Sequence, residues 1–278
     1  MDTLELQISL EPLRPWNEIL VAELADLGFD SFVETENGIL AYGNADLDVK
    51  DIIAKTSLSS DFEGTYNLEE KIIPHQNWNA QWESDFKPVY VEDYASILAP
   101  FHNDSKAVGT IAKIQPQMSF GTGHHQTTWM MTKALFELEA VPKKVMDMGT
   151  GTGVLAIFAE KLGAKKILAI DIEDWSAENA IENAKMNDCE RIDVKCGDID
   201  LVPNETYGLI IANINKNVLK EHMAVYAKSL EEGGVLLLSG FFDSDVEEME
   251  TYCAPFGLKV VKRFKKDEWA AIQLIKTN

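Results

Sequence analysis

Cysteine and long apolar runs are both scarce in this chain of 278 residues. The three cysteines, Cys189, Cys196 and Cys253, form no Cys-x-x-Cys pair. This spacing argues against a disulfide or zinc framework and suits a reducing compartment. No stretch approaches the roughly twenty consecutive apolar residues of a membrane-spanning helix. The N-terminus has neither a basic leader nor an apolar signal core. We therefore expect a cytoplasmic protein that binds no membrane.

Basic side chains are also scarce, since 25 Lys and Arg stand against 46 Asp and Glu, giving a net charge of −21. Residues 1–73 contain 16 acidic and 4 basic side chains, a net charge of −12. The remaining 205 residues contain 30 and 21, a net charge of −9. Binding to phosphates needs Lys and Arg, so direct nucleic-acid binding is not expected. A basic protein is the partner that this charge favours.

Glycine, in contrast, is concentrated in one stretch. An apolar run at Val145 and Met146 predicts a buried strand, the turn GTGTG follows it, and an apolar helical pattern then runs to Leu162. A second strand over Lys166–Ile170 ends on Asp171. Glycines let the backbone approach a ligand, a helix N-terminus offers free N–H groups, and a carboxylate can bind ribose hydroxyls. The unit therefore predicts a nucleotide site.

The spacing of the glycines indicates which nucleotide is bound. A dinucleotide fingerprint requires its third glycine where this chain has Val154. Here the third glycine is Gly153, and Asp147 stands two residues before the first, Gly149. The pattern Asp-x-Gly-x-Gly-x-Gly resembles the cofactor loop of S-adenosylmethionine-dependent methyltransferases of the Rossmann-like class. An ordinary glycine-rich turn in another α/β domain is the alternative.

The first 73 residues predict a small acidic α+β domain with its boundary near Pro74. Its predicted elements are strands over residues 3–10, 31–34, 39–42 and 65–73 and helices over residues 15–28 and 47–56. The order β-α-β-β-α-β is the ferredoxin-like arrangement. Residues 74–115 are interpreted as a linker helix with connecting strands. A short helix over residues 77–86 is predicted to present Trp78 and Trp82 on one face, and strands are predicted over residues 89–91 and 108–114.

Residues 116–278 are predicted to form the catalytic domain. After the glycine unit, helices are predicted over residues 174–187, 218–230 and 243–253, and strands over residues 193–196, 209–212, 234–239, 258–264 and 270–275. This alternation with a closing antiparallel pair matches the seven-stranded methyltransferase sheet. Ligands of such sheets bind beyond the strand C-termini, where Gly149, Asp171 and Asn213 would lie.

Two adjacent histidines, His124 and His125, precede a helix that is predicted to begin near Thr127 or Thr128, whose hydroxyls suit a helix cap. Neighbouring residues in a loop point apart, and no third ligand has a recognisable spacing, so no metal site is expected. A loop that faces the substrate is the better interpretation.

With these residues placed, the chain resembles the ribosomal protein L-eleven methyltransferase family over nearly its whole length. The resemblance rests on Trp78 with Trp82, the glycine loop, and the blocks SFGTGHHQTT, ENAIENAKMN and IIANI, of which the first is far more specific than the loop. It implies S-adenosylmethionine as cofactor, and as substrate the lysine and α-amino groups of a basic large-subunit ribosomal protein. It also implies a cofactor site made of Phe120, Gly121, Thr128, Gly149, Gly151, Asp171 and Asn213.

One departure from related enzymes concerns the substrate. Methyltransferases of nucleic-acid amines or glutamine amides commonly carry Asn/Asp-Pro-Pro-Tyr/Phe after the fourth strand, whereas this chain reads Asn213-Ile-Asn-Lys. The missing proline grip is consistent with a flexible aliphatic amine. We expect Asn213 to orient that amine and no side chain to act as a dedicated general base, with His124 and His125 the only plausible bases nearby. The chain is expected to act as a monomer.

Two other functions are compatible with the sequence. A methyltransferase of this class could act on a different protein or on a small-molecule amine, with the N-terminal domain as a different recognition module. A nucleotide-binding scaffold without catalysis is the alternative from another class.

Overall fold

The structure, a computed structural model, describes residues 2–74 and 78–277, without the side chains of residues 78–81 and 104. The chain forms two compact units, Met1–Asp85 and Phe86–Asn278. Several residues of the predicted linker, among them Val91, Ile97 and Ile114, belong to the core of the second unit. No helix in the described part is long and apolar enough to cross a membrane.

The first unit has the predicted ferredoxin-like fold. Its elements are β1 (Thr3–Glu11), α1 (Trp16–Asp26), β2 (Phe29–Thr35), β3 (Gly38–Asn44), α2 (Val49–Ile53), β4 (Thr65–Ile73) and α3 (Trp78–Asp85). The four strands form an antiparallel sheet in the order β2-β3-β1-β4. Alternate residues of β1, from Leu4 to Leu10, are buried against α1 and α2, which accounts for the alternation in the sequence.

The prediction for α2 was too long at both ends. The carboxylate of Asp48 accepts hydrogen bonds from the backbone N–H groups of Lys50 and Asp51 at 3.0 and 3.2 Å, so the helix begins after Asp48. At the other end, the Thr56 hydroxyl donates to the carbonyl oxygen of Ile53 at 2.9 Å and a separate 3₁₀ turn follows. In α3, Asn77 and the Trp78 side chain lie outside the described residues, so the shared face of Trp78 and Trp82 stays a prediction.

The second unit is built on the predicted seven-stranded sheet. Its elements are β5 (Val89–Val91), β6 (Ala95–Leu98), β7 (Thr110–Lys113), α4 (Gln126–Phe136), β8 (Lys144–Met148), α5 (Val154–Lys161), β9 (Lys166–Asp171), α6 (Asp174–Met186), β10 (Ile192–Cys196), β11 (Tyr207–Asn213), α7 (Lys216–Ser229), β12 (Leu230–Phe242), α8 (Val246–Cys253), β13 (Leu258–Lys266) and β14 (Trp269–Lys276). The order is β10-β9-β8-β11-β12-β14-β13. The first five strands are parallel, and β14 is antiparallel to both of its neighbours.

A separate three-stranded sheet, β5-β6-β7, precedes the catalytic sheet. Strand β6 was not predicted, because its four residues are all buried and show no alternation. Strand β7 is shorter than predicted at its start, since the Val108 backbone N–H and carbonyl both hydrogen-bond the Ser96 hydroxyl at 2.8 Å. Val108 thus pairs with a side chain instead of extending the ladder.

Both faces of the seven-stranded sheet are covered. Along β11, Leu209 and Ile211 belong to the core under α4 and α5, whereas Ile210 and Ala212 belong to the core under α7 and α8. Burial on both faces explains the unbroken apolar runs of these strands. Because the strands are parallel and in register, β9 and β11 end at one edge of the sheet, on Asp171 and Asn213.

Candidate active site

A cavity of about 530 Å³ opens at that edge, beyond the C-terminal ends of β8 to β11. Its size lies within the usual range for small-molecule sites, roughly 300–1,000 Å³. All of its lining residues belong to the second unit. Five of the seven predicted cofactor residues line it: Phe120, Gly149, Gly151, Asp171 and Asn213.

The glycine turn after β8 is fixed to the end of β9. The backbone N–H groups of Gly149 and Thr150 donate to the carbonyl oxygen of Ile170 at 2.8 and 3.0 Å. The Gly151 N–H donates to Oδ2 of Asp171 at 2.7 Å. Gly149 and Gly151 have φ values of 69° and 56°, in the region that favours glycine. The predicted nucleotide unit is therefore a preformed loop held by its own acidic residue.

The preceding loop, which contains Phe120, packs on this glycine turn. The Phe120 carbonyl oxygen accepts from the Thr152 N–H at 2.8 Å, and the Gly121 carbonyl oxygen accepts from the Thr152 hydroxyl at 2.8 Å. A Cβ atom at Gly151 would overlap the Phe120 carbonyl oxygen, so this close approach requires glycine. The Phe120 side chain is half exposed and lines the cavity, whereas Gly121 supports the loop from outside the lining.

His125, and not a threonine, caps α4. Its Nδ1 accepts from the Thr127 backbone N–H at 3.2 Å and lies 2.8 Å from the Thr127 hydroxyl. Thr127 and Thr128 are buried within the helix, so the prediction that one of them caps it was wrong. The His125 ring packs between Phe120 and Trp269, with centroid distances of 5.1 and 4.7 Å. Burial lowers the pKa of His125.

His124 holds the other side of the same loop. Its Nε2 lies 2.9 Å from the carbonyl oxygen of Lys87, and its Nδ1 lies 3.2 Å from the Thr122 hydroxyl. Neither His124 nor His125 lines the cavity, whereas His222 does. The two histidines that were expected to be the only plausible bases nearby are thus outside the cavity lining, and a third histidine, His222, lies in it. In the described part of the chain, no three His, Cys, Asp or Glu side chains come together as metal ligands.

Three of the candidate residues keep a buried side-chain oxygen without a partner among the described residues: Asn213 Oδ1, Thr128 Oγ1 and Asp147 Oδ1. Buried polar atoms are rarely left unpaired, and exceptions call for an explanation such as an absent ligand. Asn213 lines the cavity and Thr128 does not. Asp147 accepts from the Thr150 hydroxyl at 2.7 Å, and burial raises its pKa to about 7.

Several lining residues were not found from the sequence. Met118, Ile172 and Trp175 are exposed to 93%, 66% and 48%, so the mouth of the cavity is apolar. Gly197 and Asp198 come directly after β10 and also line the cavity. Ile172, Gly197 and Asp198 could have been found by applying the strand-end rule to every parallel strand.

A seven-stranded sheet of this order, parallel except at β14, with a glycine turn after β8 and a carboxylate at the end of β9, defines a Rossmann-like methyltransferase that uses S-adenosylmethionine. The comparisons with known proteins narrow this class. The family model "Ribosomal protein L11 methyltransferase (PrmA)" matches residues 20–277. The chain belongs to the ribosomal protein L11 methyltransferase family.

Individual relatives agree with this assignment. The chain is 40% identical over 259 residues to a ribosomal protein L11 methyltransferase of Porphyromonas gingivalis, covering 92% of this chain and 89% of the relative. It is 35% identical to one of Phocaeicola vulgatus, covering 99% of both chains. A crystal structure of a ribosomal protein L11 methylase from Lactobacillus delbrueckii matches 69% of this chain and all of that chain, with 26% identity and a TM-score of 0.63.

Proposed function

We propose that this protein transfers methyl groups from S-adenosylmethionine to lysine side-chain and α-amino groups of ribosomal protein L11. The observation that carries the proposal is the cavity, which joins the Asp171 carboxylate at the end of β9 to the unpartnered Asn213 oxygen at the end of β11. Relatives that match this chain over 89% and 99% of their own length are named for this substrate.

The order of the strands orients the cofactor. Along the sheet edge, the cavity passes from β10 to β9, β8 and β11. Each oxygen of Asp171 accepts one backbone hydrogen bond, from Gly151 and from Glu173, and retains capacity for ribose hydroxyls. With the ribose there and the reacting carbon near Asn213, the base lies at the β10 end, beside Gly197 and Asp198.

The seven candidate residues divide into two groups in this proposal. Phe120, Gly149, Gly151, Asp171 and Asn213 contact the cofactor or the acceptor amine directly, since they line the cavity. Gly121 acts indirectly, because its carbonyl oxygen accepts a hydrogen bond from the hydroxyl of Thr152. Thr128 lies in the first turn of α4, outside the cavity lining, and its buried hydroxyl has no partner among the described residues, so its contact with the cofactor stays a prediction.

Asn213 is the proposed catalytic residue. Bound S-adenosylmethionine would supply an activated methyl group and a positive charge. A unit positive charge about 4 Å from an ammonium opposes it by about 4 kcal/mol at an effective dielectric of about 20, which would favour release of the proton to water. The Asn213 amide oxygen can hold the resulting neutral amine without favouring its charged form as a carboxylate would. Alignment of the amine is then the main contribution of the side chain, and no side chain has to act as a general base.

The N-terminal unit is the proposed recognition module for the ribosomal protein. The first 73 residues carry a net charge of −12, and all cavity-lining residues lie outside this unit. Charge of this sign attracts a basic protein and speeds its encounter. We propose that the unit selects the substrate and contributes little to cofactor binding.

Transfer of tritium from labelled S-adenosylmethionine to the separated ribosomal proteins tests the function. Label on L11 alone, lost in the Asn213→Ala variant, is the expected result. Label on another protein or on a small amine would support the alternative substrate class. Binding of the cofactor without any transfer would indicate a nucleotide-binding scaffold and contradict the proposal.

A further inference from the structure

One buried histidine in the cavity wall has no part in the proposed methyl transfer. His222 lies on α7, is 4% exposed and lines the cavity. Its Nε2 lies 3.3 Å from Oδ1 of Asp198, which follows β10. Its Nδ1 lies 3.2 Å from the hydroxyl of Tyr226, one helical turn further along α7. Tyr226, His222 and Asp198 thus form a hydrogen-bonded row that runs from the core beneath α7 to the cavity.

The direction of the hydrogen bonds among these side chains follows from Tyr226. That side chain is fully buried, and burial raises the pKa of its hydroxyl, which therefore stays protonated. The phenol can therefore donate a hydrogen bond to Nδ1 of His222, and the tautomer that accepts it carries its N–H on Nε2, the nitrogen that faces Asp198.

Asp198 is held at one oxygen only. Its Oδ1 accepts from the Ile199 backbone N–H at 2.7 Å and lies beside His222 Nε2. Its Oδ2 has no hydrogen bond from any residue that the structure describes, although the side chain borders the cavity and is 54% exposed. The carboxylate is thereby fixed in orientation and offers one free acceptor to a ligand.

We propose that His222 is a positioning residue that fixes the Asp198 carboxylate as the acceptor for the exocyclic amino group of the cofactor's adenine. The inference rests on the proposed function, which brings the base to the β10 end of the cavity. An amino group is the donor that adenine presents and hypoxanthine lacks. Burial of a polar side chain is costly only when it is left unpaired, and His222 is paired at both nitrogens, so the buried ring can hold the Asp198 carboxylate in a fixed orientation.

The test compares two ligands on the full-length protein by calorimetry. S-adenosylhomocysteine carries the amino group, and S-inosylhomocysteine carries a carbonyl oxygen in its place. Wild type is expected to favour S-adenosylhomocysteine by about 10-fold or more, the usual worth of a hydrogen bond to a charged group. His222→Leu should lower the affinity for S-adenosylhomocysteine by about 10-fold and leave the affinity for S-inosylhomocysteine nearly unchanged.

Three further variants keep the test independent of folding. His222→Gln retains an N–H donor at the end of a side chain of similar length and should restore most of the preference. Tyr226→Phe removes the hydroxyl alone and should give a smaller loss. Asp198→Asn presents an amide that can donate to a carbonyl, so it should shift the preference towards S-inosylhomocysteine. Thermal unfolding of each variant verifies the fold.

The outcomes separate this inference from the proposed function. If His222→Leu lowers the affinity for both ligands equally, or if Asp198→Asn leaves the preference unaltered, the proposed role of His222 is overturned. The proposed methyltransferase function is not affected by either result. A wild-type protein that binds neither ligand would overturn the proposed function itself.

Discussion

The carboxylate of Asp171 accepts a hydrogen bond from the backbone N–H of Gly151 at 2.7 Å. The acidic residue at the end of β9 therefore holds the glycine turn that follows β8, in addition to bordering the cavity. The two parts of the nucleotide motif, twenty residues apart in the chain, are one hydrogen-bonded structure. Any change at Asp171 is thus expected to alter the loop as well as the contact to a ribose.

Asp171→Ala should weaken the binding of S-adenosylhomocysteine by about 1–3 kcal/mol, because hydroxyls and an N–H group lose a charged acceptor. Calorimetry measures the loss. Asp193→Ala is the matched control, since that carboxylate is exposed on the neighbouring strand and does not line the cavity. Unchanged affinity in Asp171→Ala, or tight binding of NAD by wild type, would contradict the account of the cofactor.

His125→Ala should lower the free energy of unfolding by about 0.5–2 kcal/mol, the usual cost of losing a helix N-cap. His125→Asn should retain stability because asparagine is a good cap. Burial lowers the pKa of His125, so the folded state binds fewer protons than the unfolded state. Wild type should therefore lose stability as the pH falls below about 6.5, and His125→Asn should lack this part of the slope. Urea unfolding at several pH values measures both effects, and a parallel slope in the two proteins would rule out the linkage.

The sequence predicted the parts of this protein in which local pattern and structure agree. The glycine turn with Asp171 and the alternating strand β1 are cases in which spacing dictates geometry. Strand β6 was missed because a short, fully buried run has no period to detect. The cap of α4 was assigned to Thr127 or Thr128, since histidine is not a usual capping residue.

The residues His222 and Asp198 illustrate a second limit. They lie 24 positions apart, on a helix and on a turn, and no fixed spacing connects them. Their proximity depends on how α7 packs over the sheet, which is a tertiary property. A search of each strand end would have found Asp198, but only the packing shows that His222 contacts it.

Asp147→Asn should stabilise the ligand-free protein above neutral pH. Burial raises the pKa of Asp147 to about 7 in the folded state, whereas the unfolded value is about 3.9. The folded state therefore holds a proton that the unfolded state releases, so this contribution to stability is complete below about pH 3.9 and is lost as the pH rises to about 7. An amide at the same position has no such loss and can still accept from Thr150. Denaturant midpoints measured below pH 4 and above neutrality test this; if the difference between the two proteins does not change with pH, the assignment is wrong.

The KM for ribosomal protein L11 should rise with ionic strength, while the affinity for S-adenosylhomocysteine should change little. Salt screens exposed charges that attract a basic substrate, with a screening length of about 10 Å at about 0.1 M. Removal of residues 1–85 should likewise abolish methylation of L11 and preserve cofactor binding, since the cavity lies within residues 86–278. A truncated protein that methylates L11 normally would assign another role to the N-terminal unit.

Mass spectrometry of purified L11 after incubation with S-adenosylmethionine tests the central claim most directly. Wild type should add methyl groups at lysine side chains or the α-amino group. Asn213→Ala should slow this addition by about 100-fold or more if alignment of the amine provides the catalysis. Asn217→Ala, exposed on the following helix and outside the cavity lining, is the matched control and should behave as wild type. Wild type that binds the cofactor yet leaves the mass of L11 unchanged, or full activity in Asn213→Ala, would contradict the account.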